Sequence, residues 1–347
     1  MSENGQVVPD SYWIYAPNKG APVFFAVAFA FSGLWQLWQG HHYKCWHVTW
    51  HYASCAAIFT AGFITREIGA FHYDSLPVYI ASSCLVYAAP PLYEAANYHI
   101  LGRVLFYVPY HSPIHPGRVW TTFALLAAVV ESLSGVGASY SANVSLPDST
   151  QHTGKALMKA ALILQLVIVN TFVVLAVTFH RRCLRAGIRS RSVNSSLLTL
   201  YVSTALIDAR TIYRTVEYFG LTGVRFRRGM DLGELPPEFR YEWFFYVFEA
   251  SLMLANAFLW NFRHPRRYLP ADTKVFLSPD DGVTEVEGPG YKDSRSFLAT
   301  LLDPFDLYGL ATGREKKDRF WEDGHQGGHE VVAGAKGEAK SAGHETA

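Results

Sequence analysis

ALMKAALILQLVIVNTFVVLAVTFH, residues 156–180, holds one charged side chain, Lys159, in 25 positions. An α-helix rises about 1.5 Å per residue, so roughly 20 mostly apolar residues cross the ~30 Å hydrocarbon layer of a bilayer. The stretch therefore reads as a membrane-spanning helix. Directly after it stand Arg181, Arg182, Arg185, Arg189 and Arg191. Basic residues resist translocation, so this run marks a cytoplasmic connection.

Working outward, the same length criterion selects Ala21–Trp38, His47–Gly69, Val78–His99, Val119–Ser139, Ser196–Phe219 and Tyr241–Phe262. With Ala156–His180 this gives seven crossings and an all-α, polytopic fold. The basic residues Lys44, Arg103, Arg118, Arg263, Arg266 and Arg267 fall on the same side as the arginine run if the N-terminus is outside and the C-terminus cytoplasmic. Arg225, Arg227, Arg228 and Arg240 run against this orientation, offset in part by Asp231, Glu234 and Glu238. In this topology the sequon Asn143-Val144-Ser145 is external, and Asn143 is a candidate glycosylation site.

Composition agrees with lipid as solvent. Of 347 residues only 17% are charged, against about 25% in soluble domains, and the formal net charge is +1. That balance offers no field for nucleic acid. The four cysteines, Cys45, Cys55, Cys84 and Cys183, form no CxxC pair and suggest no disulfide framework. Met1–Gly20 lacks the basic and apolar regions of a cleavable signal, so the first span is expected to act as its own insertion signal. Residues 1–20 then form an extracellular segment, 21–268 the membrane domain, and 269–347 a polar cytoplasmic tail expected to be disordered.

Ionisable side chains at membrane depth cost about 2.5–3.5 kcal/mol each on insertion scales and normally face a bundle interior or an aqueous cavity. Arg210, Arg214 and Glu217 share one helical face. Glu131, Glu249, Arg66 and Glu67 are expected at similar depth, so that four acids meet three arginines. Two readings stand: a polar cavity that binds something, or ion pairs that fix helix packing. Pro90-Pro91 must kink the third span, and Glu94 one turn later is expected to snorkel to the inner interface.

His41, His42, His47, His51, His99, His111 and His115 gather on the inner side, and His47 and His51 have the i, i+4 spacing of zinc ligands. No HExxH motif accompanies them, and no GxxxxGK[ST] phosphate loop is present. A membrane-embedded zinc hydrolase is the weakest reading, no metal or other cofactor is assigned, and direct ATP-driven transport is disfavoured.

The stretches Ala89-Pro90-Pro91-Leu92-Tyr93 through Tyr98, Leu101-Gly102-Arg103, Arg210-x-x-Tyr213-Arg214-x-x-Glu217-Tyr218, Glu242 through Tyr246 with Glu249, and His264-Pro265 resemble the fungal RTA1-like family, also called lipid-translocating exporters. The likeness runs from about Tyr12 to Leu269. It implies a seven-helix protein with its N-terminus outside, transbilayer movement or export of lipids such as sphingoid long-chain bases, and resistance to toxic compounds. The family's charged motif falls on Arg210, Arg214, Glu217 and Glu249, the last where aspartate is common. Arg66 matches the arginine ending the second helix, while Phe59 stands where an acid is often found and Glu131 replaces a glutamine or aspartate region.

The resulting expectation is a non-enzymatic translocator of lipids or amphiphilic small molecules, in the plasma membrane. Its head-group site would use Arg210, Arg214, Glu217, Glu249, Glu131 and Arg66. A seven-helix receptor or sensor for a lipid-like ligand is the alternative. The sequence fixes neither the cargo nor the oligomeric state.

Overall fold

The computed structural model describes residues 11–13, 17–72, 74–142, 146–223 and 240–270, and beyond them 272–279, 282, 284–288, 299, 302–303, 307–312 and 330–331. Long helices dominate: α1 (Ala21–Tyr43), α2 (Trp46–Phe71), α3 (Leu76–Ala88), α4 (Pro90–Tyr107), α5 (Pro116–Ala142), α6 (Asp148–Arg185) and α7 (Arg191–Gly223). An eighth, α8, is continuous from a turn at Trp243–Phe245 through a π-helical stretch, Tyr246–Ser251, into Leu252–Phe262.

The double proline acts as expected. Pro90 and Pro91 have no N–H to donate, so the third rod breaks into α3 and α4, and Pro90 and Pro91 become the opening residues of the second piece. Ala89 keeps right-handed helical angles, so the break is a kink within one rod. Its carbonyl accepts from the Leu92 N–H at 3.1 Å and from Cys55 Sγ on α2 at 3.1 Å.

Side-chain placement is inverted relative to a water-soluble bundle. Phe24, Val27, Leu34 and Val174 are 63%, 64%, 67% and 64% exposed, whereas Arg210, Glu249, Asn256, Asn261 and Gln39 are buried. Lipid satisfies such an exterior, and helices satisfy their own backbone within it. Five helices among the described residues are long and apolar enough to cross a membrane: α1, the α3–α4 rod, α5, α6 and α8. The chain is an all-α, polytopic membrane protein. At 26 and 33 residues α2 and α7 have the length as well, but they carry the Arg66, Glu67, Arg210, Arg214 and Glu217 charges.

Packing combines close backbone approach with polar fastening, the two devices that join helices in lipid. A Cβ on Gly137 of α5 would lie 2.9 Å from the Gly154 carbonyl of α6, and one on Gly154 would lie 2.7 Å from the Ser141 nitrogen. Near the basic end, Asn97 of α4 donates to Ser203 of α7 at 3.0 Å, and Trp260 Nε1 of α8 donates to the same hydroxyl at 3.0 Å. Asn261 of α8 donates to Ser32 of α1 at 2.7 Å and accepts from Gln36. Stacked Phe25, Phe29, Phe59 and Phe63 fill the space between α1 and α2.

The polar segment after residue 268 departs from the expectation of disorder over its first part. Strand β1 (Val275–Leu277) pairs antiparallel with β2 (Glu285–Glu287), with Phe276 opposite Val286, and β3 (Glu330–Val331) pairs with β2. Phe276, Leu277 and Val286 are buried. The Tyr107 hydroxyl donates to Glu285 at 2.7 Å, the Arg103 guanidinium to the Pro270 carbonyl at 2.6 Å, and the Tyr110 hydroxyl to the Ser278 carbonyl at 3.3 Å. Three apolar residues in a polar run are too short a signal to read as a strand without these partners.

Candidate functional site

Arg210 sits on the inward face of α7, one helical turn before Arg214, and Glu217 follows three residues later. Its guanidinium makes a charged pair with Glu249 of α8 at 2.7 Å, through both Nε and Nη2. The two side chains are 5% and 0% exposed. Glu249 lies inside the π-helical stretch, a wider turn that recurs at functional sites. Its second oxygen, Oε2, is buried without a hydrogen-bond partner.

Nearer the far end of α7, Arg214 pairs with Glu217, donates to the Tyr87 hydroxyl of α3 at 3.0 Å and lies 3.8 Å above that ring. The Tyr213 hydroxyl also reaches Glu217 at 3.4 Å. These two charges are 18% and 19% exposed, so accessibility rises along α7 from Arg210 to Glu217. Glu249 is within electrostatic range of Arg214. The four residues Arg210, Arg214, Glu217 and Glu249 thus form one connected charged tract between α3, α7 and α8.

Two more carboxylates look toward this tract. Glu94 of α4 is buried and accepts from Gln165 Nε2 of α6 at 2.6 Å and from the Tyr98 hydroxyl at 3.3 Å. It is therefore a mid-bundle acid, and the expectation of snorkelling to the interface is corrected. Its partner on α6 lies 71 positions away in the chain, beyond any local pattern. Glu131, exposed on α5, and Glu94 both lie within electrostatic range of Arg210.

Arg66 does not join the tract. It forms a separate pair with Glu242 at 2.9 Å and stacks at 4.0 Å over Phe245. Glu242 also accepts from the Asn18 backbone N–H at 2.7 Å and from the Tyr246 hydroxyl at 3.0 Å. This cluster ties the chain before α1 to the ends of α2 and α8. Glu67, the next residue, accepts from the Gly20 N–H at 3.3 Å and closes one end of an apolar groove of about 360 Å³ between α1 and α2.

The glycosylation candidate Asn143, the basic loop residues Arg225, Arg227 and Arg228, and the side chain of His47 lie outside the described residues. His51 is buried between Trp50, at 4.1 Å, and His99, at 6.1 Å. Among the described residues no three His, Cys, Asp or Glu side chains are close enough to hold a metal ion.

The family model described as "RTA1 like protein" matches residues 53–272, a stretch that contains the whole charged tract. The chain belongs to the RTA1-like family. A Leptosphaeria maculans protein named "Lipid-translocating exporter-like protein RTA1" is 46% identical over 318 residues, covering 89% of this chain and 60% of that relative. This chain therefore spans three fifths of that relative's length. An Ajellomyces capsulatus protein of the same name is 31% identical over 281 residues, 77% of this chain and 83% of its own length. The "Probable lipid transporter atnI" of Emericella nidulans is 22% identical over 294 residues, 79% of this chain and 73% of its own. No solved structure matches. Lipid transport is thus the role that these relatives' names carry, while this chain is a multi-pass membrane protein of the RTA1-like family.

Proposed function

We propose that this RTA1-like protein moves amphiphilic lipids with a charged head group between the leaflets of the plasma membrane, without chemically altering them. The observation that carries the reading is the Arg210–Glu249 pair, almost fully buried, joined to the more accessible Arg214–Glu217 pair. Charges are expensive at this depth and are kept where they face one another or a polar path. A head group entering beside Glu217 and Arg214 meets a carboxylate for an ammonium and a guanidinium for a phosphate, while its hydrocarbon chain stays among the lipid tails. Among such cargos a single-chain sphingoid base fits the surplus of acids, since Glu94 and Glu131 add carboxylates near Arg210 without adding a base.

On this reading α2 and α7 cross the membrane with the other rods, giving seven crossings. The N-terminus is outside, and Lys44, Arg103, Arg118 and Arg181–Arg191 are cytoplasmic. The test is flux in proteoliposomes holding the full chain. A fluorescent sphingoid base and a fluorescent phosphatidylcholine are placed in one leaflet, and their appearance in the other is followed. The protein should accelerate transfer of the base, and Arg214→Gln together with Glu249→Gln should reduce the rate about tenfold or more, as expected when a charged contact worth ~1.4 kcal/mol or more is lost in the rate-limiting step. Transfer of both lipids at the protein-free rate would overturn the proposal.

A further inference from the structure

Three carboxylates lie within reach of the Arg210 guanidinium: Glu249 in contact with it, buried Glu94 on α4 and exposed Glu131 on α5. Glu249 takes the ion pair with Arg210, and among the described residues Glu94 and Glu131 form none. Two uncompensated negative charges at membrane depth are costly, and the cost disappears when a carboxylate binds a proton. Glu94 is the one built for it. It is buried, and its two partners each have both donor and acceptor capacity. With Glu94 ionised, Gln165 Nε2 and the Tyr98 hydroxyl donate to it. With Glu94 protonated, rotation of the Gln165 amide presents its oxygen, and the Tyr98 oxygen accepts instead, so either state is satisfied in place.

The groups facing Glu94 are Tyr98 on its own helix, Glu131 on α5, Gln165 on α6 and Arg210 on α7. On α2, Tyr52 and Cys55 meet Tyr93, and on α3 Tyr87 meets Arg214. A second feature marks the cluster as incompletely satisfied: both Arg210 contacts go to Glu249 Oε1, and Glu249 Oε2 is buried with no hydrogen-bond partner, an acceptor to which the guanidinium can turn.

We propose that Glu94 is a proton-binding site that couples proton movement to lipid movement, a mechanism that rests on the translocation reading above. One proton adds to a Glu94 oxygen, taken from water. The Arg210 guanidinium then turns fully to Glu249. Arrival of a cationic head group beside the acids expels the proton to water, so no bond other than O–H is made or broken and charge is conserved at the site.

The experiment has two arms on the reconstituted full chain. In infrared difference spectra between acidic and neutral buffer, wild type should show a buried carboxylic-acid band that Glu94→Gln lacks and Glu94→Asp keeps at a shifted position. In the flux arm, a gradient of about one pH unit should support up to about tenfold accumulation of a labelled single-chain amine per proton coupled. Glu94→Gln should show no gradient-driven accumulation beyond that of protein-free vesicles, and Glu94→Asp should retain it. A Glu94→Gln protein that keeps the band or the gradient response overturns the proposal. If wild type moves no lipid at all, the translocation reading fails, and the infrared arm still decides whether Glu94 takes the proton.

Discussion

Arg210 and Glu249 neutralise each other at almost full burial, so removing one leaves the other without its ion-pair partner. Breaking such a pair costs about 3–5 kcal/mol. Glu249→Ala should therefore lower the thermal midpoint in detergent far more than Glu217→Ala, whose pair with Arg214 is partly exposed. A thermal-shift series on the two variants checks the order. At the other cluster, Arg66 uses its flat guanidinium twice, in a hydrogen bond to Glu242 and in stacking over Phe245. Arg66→Lys keeps the charge and loses the plane, so it should destabilise by about 1–2 kcal/mol, measured by the same assay. The residue types and their shared face on α7 were legible from the i, i+4, i+7 spacing. The partners were not, because Glu249 and Tyr87, which meet Arg210 and Arg214, and Gln165, which meets Glu94, lie on other helices, and one-dimensional spacing carries no information about which faces meet.

Helices were the legible elements, since about 20 apolar residues in a row leave few alternatives, and the α3–α4 break followed from two prolines. The π-helical turn around Glu249 has no local sequence mark. The β1–β2 pair escaped detection because Val275, Phe276 and Leu277 are apolar for only three positions. Close approach of α5 and α6 was also silent, since a glycine reads alike whether or not a neighbour presses on it. Gly154→Val puts a branched side chain where a Cβ alone meets Tyr140 at 2.7 Å, and overpacking of this kind costs about 1–3 kcal/mol. Gly135, with nothing within 4 Å, is the control, and Gly135→Val should be near neutral in the same measurement. In the turn Pro109–His111, burial and the neighbouring Arg182 hold the His111 imidazole below its ordinary value. The unfolded chain then takes up the proton first as pH falls below about 6.5, so stability drops there. His111→Gln should lose less thermal stability than wild type on acidification.

As a whole the molecule puts apolar side chains toward lipid and charge toward its own axis, the arrangement a path for polar head groups requires. The same arrangement would also serve a bundle held together by ion pairs, and charge exchange separates the two. Arg210→Glu combined with Glu249→Arg restores a pair at the same place and should recover part of the stability that either single change loses, the remainder being withheld by Glu94 and Glu131, which lie within electrostatic range of position 210. A tract that reads a cationic head group depends on which helix carries the acid; a structural pair does not. The decisive measurement is therefore transbilayer flux of a labelled sphingoid base by the exchanged variant, alongside its thermal midpoint. The account predicts a midpoint above that of either single variant with flux reduced at least about tenfold. A variant with both the midpoint and the flux of wild type would contradict it.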